Sequence, residues 1–273
     1  MRITVLGSGT SHGIPMIGCR CPVCTSSDPR NRRMRTSAAV HLRESPRESE
    51  KTLLIDTTPD LRLQALACGI ERVDAVCYTH SHTDHIMGFD ELRRFAEMQG
   101  ECLPLYAPPE TLGRLQTVFH YALTDAGFGT FGIPLVRWHA WTEPVDLWGH
   151  RLTPVWLNHG VWPATGIRID SPDGTSLAWC PDCCGAPAES VKKLQSLDVL
   201  FLDALRHKPY PTHFTVAESV EFIRLLRPRQ AYLVHMTHDL DHAQTEASLP
   251  SLPEVPGGIH LAYDGLTLEV EAP

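Results

Sequence analysis

Thr79-His80-Ser81-His82-Thr83-Asp84-His85 places four groups able to ligate a metal, His80, His82, Asp84 and His85, within six residues. The stretch continues directly from residues 74–79 (DAVCYT), which read as a buried strand. A strand that runs into a tight loop aims neighbouring side chains at one point. Imidazole nitrogens together with a carboxylate oxygen suit Zn, Mn or Fe. The plainer alternative is a polar surface loop that happens to be rich in histidine.

Apolar runs and helical patterns alternate outward from this stretch. Residues 2–6, 37–42 and 52–56 read as strands, with Glu44–Lys51 as an exposed hairpin loop between the last two. Pro59 to Cys68 reads as a short helix, with Pro59 near its start and Gly69 just past its end. His85 to Met98 carries a helical pattern that sets Ile86, Phe89, Leu92 and Phe95 near one face. Residues 152–157, 176–179, 198–202 and 231–235 are further strand candidates. Residues 215–226 form a helix candidate with Thr215 as its N-cap and Glu218 at the capping-box spacing. The glycine-rich residues 124–134 read as a loop near a site mouth, and Asp264-Gly265 as a hairpin turn. No linker or low-complexity run interrupts the pattern. Residues 1–273 are therefore expected to form a single domain of layered α/β type.

Composition sets the class. Hydrophobic residues are 42% and charged residues 21%, which allows a sizeable core and does not indicate disorder. The formal net charge of -8 argues against a nucleic-acid partner. Nine cysteines is an odd number, so a complete disulfide framework is not expected; clustered thiols then point to metal binding or to core filling. The start lacks the long apolar region of a signal peptide, and no run approaches the roughly 18 apolar residues of a membrane span. The expectation is a cytoplasmic protein with no membrane partner.

H-x-H-x-D-H is the signature of the metallo-β-lactamase superfamily, which the chain resembles. The resemblance implies a four-layer αββα sandwich with metals at the edge between its two sheets. It also implies a later histidine, aspartate and histidine, each at a strand end. His159, Asp182 and His235 stand in that order, in Leu157-Asn158-His159-Gly160, Trp179-Cys180-Pro181-Asp182-Cys183 and Tyr232-Leu233-Val234-His235. Taken singly they read equally well as a surface histidine, a turn aspartate and a satisfied strand-end histidine. By the resemblance, His80, His82 and His159 hold one divalent ion, Asp84, His85 and His235 hold another, and Asp182 bridges them. The ions implied are Mn or Zn.

Cys19, Cys21 and Cys24, in a cysteine-rich loop at 18–25, have zinc-ligand spacing and lack a local fourth ligand. His238, three residues past His235, is the candidate that completes a structural zinc site. Cys180, Cys183 and Cys184 form a rival cluster, expected to line or support the active site. Cys68, Cys77 and Cys102 read as core residues. Gly7-Ser8-Gly9-Thr10-Ser11 is neither a dinucleotide nor a P-loop motif, and is expected to make a tight turn bordering the metal site.

These features narrow the resemblance to the PhnP-type phosphodiesterases of phosphonate metabolism, over nearly the full length. That resemblance implies hydrolysis of a small, cyclic ribose phosphodiester through a metal-bridging hydroxide, and a homodimer. His213, in Thr212-His213-Phe214-Thr215, matches a histidine that reaches the active site to bind phosphate or protonate the leaving group. His213 and Asp84 are the candidate catalytic residues. The alternatives are a ribonuclease Z-like nuclease, a superfamily lactonase or thioesterase, and a non-catalytic metal-binding protein. The acidic charge argues against the first, the C-x-C-x-x-C site against the second and the complete ligand set against the third.

Overall fold

The computed structural model describes residues 1–45, 47–123 and 132–271. The first half supplies strands β1 (Arg2–Gly7), β2 (Ser37–Leu42), β3 (Lys51–Ile55), β4 (Ala75–Cys77), β5 (Leu103–Ala107) and β6 (Val136–Ala140). Its helices are α1 (Leu61–Cys68), α2 (Thr83–Ile86), α3 (Leu92–Gln99) and α4 (Pro109–Val118). The second half supplies β7 (Val145–Leu147), β8 (His150–His159), β9 (Trp162–Asp170), β10 (Ser176–Cys180), β11 (Val199–Asp203), β12 (Gln230–Val234), β13 (Ile259–Leu261) and β14 (Thr267–Glu269). Helices α5 (Ala188–Lys193), α6 (Val216–Leu226) and α7 (His242–Ser248) complete the set. One sheet runs β14-β1-β2-β3-β4-β5-β6 and the other β13-β12-β11-β10-β9-β8-β7.

Strand periodicity builds the layers. Near-continuous apolar runs send alternate side chains to opposite faces, as strands covered on both sides require. Leu53 and Ile55 of β3 enter the core between the sheets, with Val199 and Phe201 of β11 opposite. Leu54 faces outward onto α1 and α3 through Leu61, Leu92 and Phe95. Leu200 and Leu202 face outward onto α6 through Val220, Ile223 and Leu226. Each such fully buried side chain contributes about 1.5–3 kcal/mol. The result is the expected four-layer αββα sandwich. No helix among the described residues is long and apolar enough to cross a membrane.

Local signals mostly hold. Thr215 accepts from the Glu218 backbone N–H while the Glu218 carboxylate accepts from Thr215, a complete capping box for α6. Gly69 ends α1 in the left-handed conformation at φ 65°. Three expectations are corrected. Helix α1 starts at Leu61, so Pro59 lies outside it. The helix expected from His85 to Met98 is broken into α2, a short 3-10 turn and α3. Gly88 sits at the break, where the backbone passes so close to the Thr58 carbonyl that a Cβ would overlap it. Asp264-Gly265 is not a hairpin turn. β13 pairs with β12 in one sheet and β14 with β1 in the other, so the chain crosses between sheets there. The loop from Glu44 joins antiparallel β2 and β3, with Lys51 already in β3 and residue 46 outside the described residues. Of the expected 124–134 loop, residues 124–131 lie outside the described residues.

Candidate metal centre and active site

The histidine and carboxylate side chains converge at strand ends, where α/β sheets open their ligand crevices. β4 leads into Thr79 and His80, and α2 carries Asp84 and His85 in a single turn. Asp56, just past β3, ties this loop down. It accepts from the Thr79 backbone N–H at 2.8 Å, the Thr79 hydroxyl at 2.7 Å and His85 Nδ1 at 2.7 Å. His159 is the last residue of β8, Asp182 follows β10 and His235 follows β12. Asp56 and His235 both have left-handed backbone, at φ 61° and 59°, a costly conformation that concentrates at functional positions.

Hydrogen bonds fix which ring edge each histidine presents. His85 Nδ1 is bound to Asp56, His159 Nδ1 donates to Thr212 O at 2.9 Å, and His80 Nδ1 lies 3.1 Å from the Thr79 hydroxyl. Their Nε2 atoms are left facing the cluster, the arrangement that orients ligating imidazoles. His159 Nε2 lies 3.3 Å from His82 Nδ1. Asp182 Oδ1 is 3.7 Å from His80 Nε2 and 3.3 Å from His235 Nε2, and its Oδ2 is 3.3 Å from His85 Nε2. Asp84 Oδ2 lies 3.4 Å from His85 Nε2 and 3.6 Å from His235 Nε2.

This donor set fits divalent cations. The Nε2 atoms of His80, His85 and His235 and Asp182 Oδ2 are buried without a hydrogen-bond partner. Lone pairs aimed at one another in a dry interior are costly until a cation joins them. The seven expected donors fall into two sets, His80, His82, His159 and Asp182, and Asp84, His85 and His235, and a third grouping of Asp182, His213 and His235 overlaps them. The charge environment agrees. Burial, aided by the neighbouring His85, holds His80 well below the ordinary imidazole range, so it presents a neutral lone pair. Against the burial that lowers it, the carboxylates Asp182, Asp84 and Asp56 hold His85 well above that range. Burial would raise Asp84 and Asp182, yet the adjacent histidines keep both below the usual carboxylate range. The pocket is built to surround positive charge.

His213 stands just before α6, between the two donor sets. Its ring stacks on His235 with centroids 4.8 Å apart and meets His159 edge-on at 4.7 Å. His213 Nδ1 donates to Asp203 Oδ2 at 2.6 Å, and the Cys183 backbone N–H donates to the same oxygen at 2.8 Å. Burial raises Asp203 well above the usual carboxylate range and lowers His213. Nδ1 is tied to Asp203, which leaves Nε2 as the free edge of the ring. A cavity of about 610 Å³ opens here, lined by His82, Asp84, His159, Trp162, Tyr210 and His213 among others.

The cysteine loop forms a separate cluster. His238 Nδ1 lies 3.2 Å from Cys19 Sγ and 3.5 Å from both Cys21 Sγ and Cys24 Sγ. Zinc–sulfur and zinc–nitrogen bonds at a tetrahedral angle span S···N edges of about 3.6 Å, so the four donors have the right spacing for zinc. Backbone N–H groups also reach the sulfurs: Met16 donates to Cys24 Sγ and Cys24 to Cys21 Sγ, both at 3.4 Å. The Cys24 N–H is the main cause that lowers the Cys21 thiol to about 7, which favours the ligating thiolate.

All eleven residues expected as metal ligands thus lie in the two places expected of them, and His213 lies beside the first. Of the rival cysteines, Cys183 supports Asp203 through its backbone and Cys184 Sγ lies 3.4 Å from Asn158 O. The glycine stretch pairs with the residue after His235: Met236 N donates to Ser8 O and Thr10 N to Met236 O. Sequence reasoning missed Asp56 and Asp203 as site residues. Each is a lone carboxylate closing an apolar strand run, Leu53-Leu54-Ile55-Asp56 and Leu200-Phe201-Leu202-Asp203, and that signal was available.

Comparison with known proteins agrees with the geometry. A solved structure described as a new diphosphatase from the PhnP family superposes with a TM-score of 0.85 and 42% identity, over 99% of this chain and 98% of that one. A Porphyromonas gingivalis protein named octanoyltransferase is 33% identical over 97% of this chain, and the chain spans only 51% of its length. The coenzyme PQQ synthesis protein B of Methylorubrum populi is 34% identical, over 82% of this chain and 76% of that protein. Residues 51–236, which include every donor from His80 to His235, match the model of the β-lactamase superfamily domain. By that match the chain belongs to the β-lactamase superfamily domain family.

Proposed function

We propose that this metallo-hydrolase is a phosphodiesterase acting on a small, cyclic ribose-type phosphodiester. In this reading His80, His82 and His159 would hold one divalent ion and Asp84, His85 and His235 a second, with Asp182 available to both. Cys19, Cys21, Cys24 and His238 would hold a structural zinc. The observation that carries the proposal is the 2.6 Å His213–Asp203 pair set against the donor cluster. It supplies a proton donor beside a site that attracts anionic oxygen. Divalent ions bound there acidify water towards neutrality and neutralise charge on phosphoryl oxygens.

The residues of the chain do the rest. The diester lies in the cleft with its non-bridging oxygens towards the donor cluster and its leaving oxygen at His213 Nε2. Water oxygen joins phosphorus and gives up a proton to solvent, the bond to the leaving oxygen breaks, and that oxygen takes the Nε2 proton of His213 in its imidazolium form. Asp203 fixes the ring through Nδ1 and stabilises its charged form, as a carboxylate does for a catalytic imidazole. His213 regains a proton from solvent. A second reading is supported by the 42% identity to a PhnP-family diphosphatase. There the same attack on phosphorus expels a phosphate in place of an alkoxide.

Metal analysis joined to an assay on bis(p-nitrophenyl) phosphate, after reconstitution with Mn and separately with Zn, tests the proposal. Two or three metals per chain, with clear diester cleavage and little cleavage of p-nitrophenyl phosphate, is expected. A full metal complement without diester cleavage refutes the phosphodiesterase reading and redirects attention to thioesters and lactones.

A further inference from the structure

Two cavities meet at His213. The larger contains donor residues in its wall. The smaller, of about 210 Å³, is lined by residues 10–14, Arg206, Tyr210 and Thr237–Asp239 among others, and touches none of the seven active-site donors. Ser11, Tyr210 and His213 belong to both walls, so the two spaces adjoin there. A reacting phosphorus must lie by the donors, with its leaving oxygen at His213. What that oxygen carries is then directed past Ser11 and Tyr210 into the smaller cavity.

The charge of that cavity is unusual for an acidic chain. The Arg206 guanidinium lies over the Tyr210 ring, 5.0 Å from its centroid. Arg206 Nε donates to Lys208 O and one Nη to Pro209 O, both at 3.2 Å, and no carboxylate pairs with it among the described residues. His12 shares the wall. The single acidic residue of the lining, Asp239, has Oδ1 4.0 Å from His238 Nε2. A guanidinium held by two carbonyls and an aromatic face is pre-positioned and uncompensated, which suits forked recognition of a phosphate.

We infer that the smaller cavity is the leaving-group subsite and that Arg206 selects departing groups that carry a phosphate. The inference rests on the phosphodiesterase reading above and extends it from the cyclic ester, whose two ester oxygens stay on one ribose, to substrates that part in two. Its substrate class is a diester, or a diphosphate with both ends esterified, whose departing half is itself anionic. On cleavage the phosphorus–oxygen bond breaks towards His213, and the departing phosphate is held by Arg206.

The test compares two substrates on the metal-loaded enzyme: symmetric dimethyl diphosphate, which releases methyl phosphate, and bis(p-nitrophenyl) phosphate, which releases no phosphate. In Arg206→Gln, which removes the guanidinium and its charge, the kcat/KM ratio of the first to the second is expected to fall at least tenfold. Arg206→Lys is expected to recover part of that ratio, with melting temperature and metal content at the wild-type level. A ratio within twofold of wild type in Arg206→Gln overturns the inference. So does a wild-type enzyme that cleaves the nitrophenyl diester but not the diphosphate, a result that leaves the phosphodiesterase reading standing. Wild-type enzyme that cleaves neither overturns that reading and the inference with it.

Discussion

Asp203→Asn tests whether His213 is a proton donor tuned by its carboxylate partner. Both hydrogen bonds to this side chain end on Oδ2, from His213 Nδ1 at 2.6 Å and from the Cys183 N–H at 2.8 Å, and Oδ1 has no partner. An amide oriented with its oxygen at the Oδ2 position keeps both contacts but cannot carry the negative charge that stabilises an imidazolium at His213. A hydrogen bond to a charged group is worth about 1.5–3 kcal/mol. At about 1.4 kcal/mol per decade this predicts a roughly ten- to hundredfold loss of turnover. The ceiling is the whole value of general-acid help, about 10²–10⁴-fold, which His213→Ala removes. Burial already disfavours the ionised Asp203, so the variant is expected to fold. The assay is turnover of a cyclic ribose phosphodiester, whose leaving alkoxide needs a proton, beside bis(p-nitrophenyl) phosphate, whose leaving group needs little help. Metal content is measured on every variant. The loss should be larger on the ribose substrate, and adding Asp203→Asn to His213→Ala should cost less than a further twofold. Equal losses with and without His213, or equal losses on both substrates, would refute the paired-donor argument.

Three further outcomes are expected. Cys21→Ser should remove one zinc per chain and lower the melting temperature, because a structural zinc contributes folding energy; an unchanged melting temperature excludes the structural role. Gly88→Ala places a Cβ against the Thr58 carbonyl and should cost about 1–3 kcal/mol or more by denaturant titration, with loss of activity because Thr57 N donates to His85 O; wild-type stability would show that the turn relaxes freely. His242 is lowered to about 4, by burial first and then by Arg30 and Arg33. A histidine lowered in the folded state gives stability that is complete above its ordinary value near 6.5 and lost as pH falls from there towards 4. The solvent-discounted effect is about 1–2 kcal/mol. The drop in melting temperature between pH 7.5 and pH 5 should therefore be smaller in His242→Phe than in wild type, and identical drops would exclude this residue.

Short-range chemistry was legible before the fold was known. His80, His82, Asp84 and His85 lie on one strand-to-loop unit, so their spacing alone brings them together. The capping box at Thr215 and Glu218 involves neighbours three residues apart, and α6 begins where it places the start. The apolar runs of β3 and β11 announced strands. By contrast the helical period from His85 to Met98 promised one helix, and the contact between Gly88 and the Thr58 carbonyl broke it. The apolar runs flanking Asp264 looked like the arms of a hairpin. Asp264 instead accepts from Ser8 N and Oγ at 2.8 Å and from Met34 N at 2.6 Å, and its flanking strands enter different sheets.

His159, Asp182, His235 and His238 were ordered along the chain by resemblance, but only the packing of two sheets brings their donor atoms within a few ångströms. The carboxylates behind the histidines depended on it further. Asp56 and His85 are 29 residues apart, and Asp203 is 10 residues from His213. Nothing in their local sequence says which ring each will orient. Arg206 and the cavity beyond His213 are visible in the fold alone. Periodicity and spacing act over a few residues of backbone geometry, whereas a site assembled from strand ends exists only after long-range pairing has fixed which ends are neighbours.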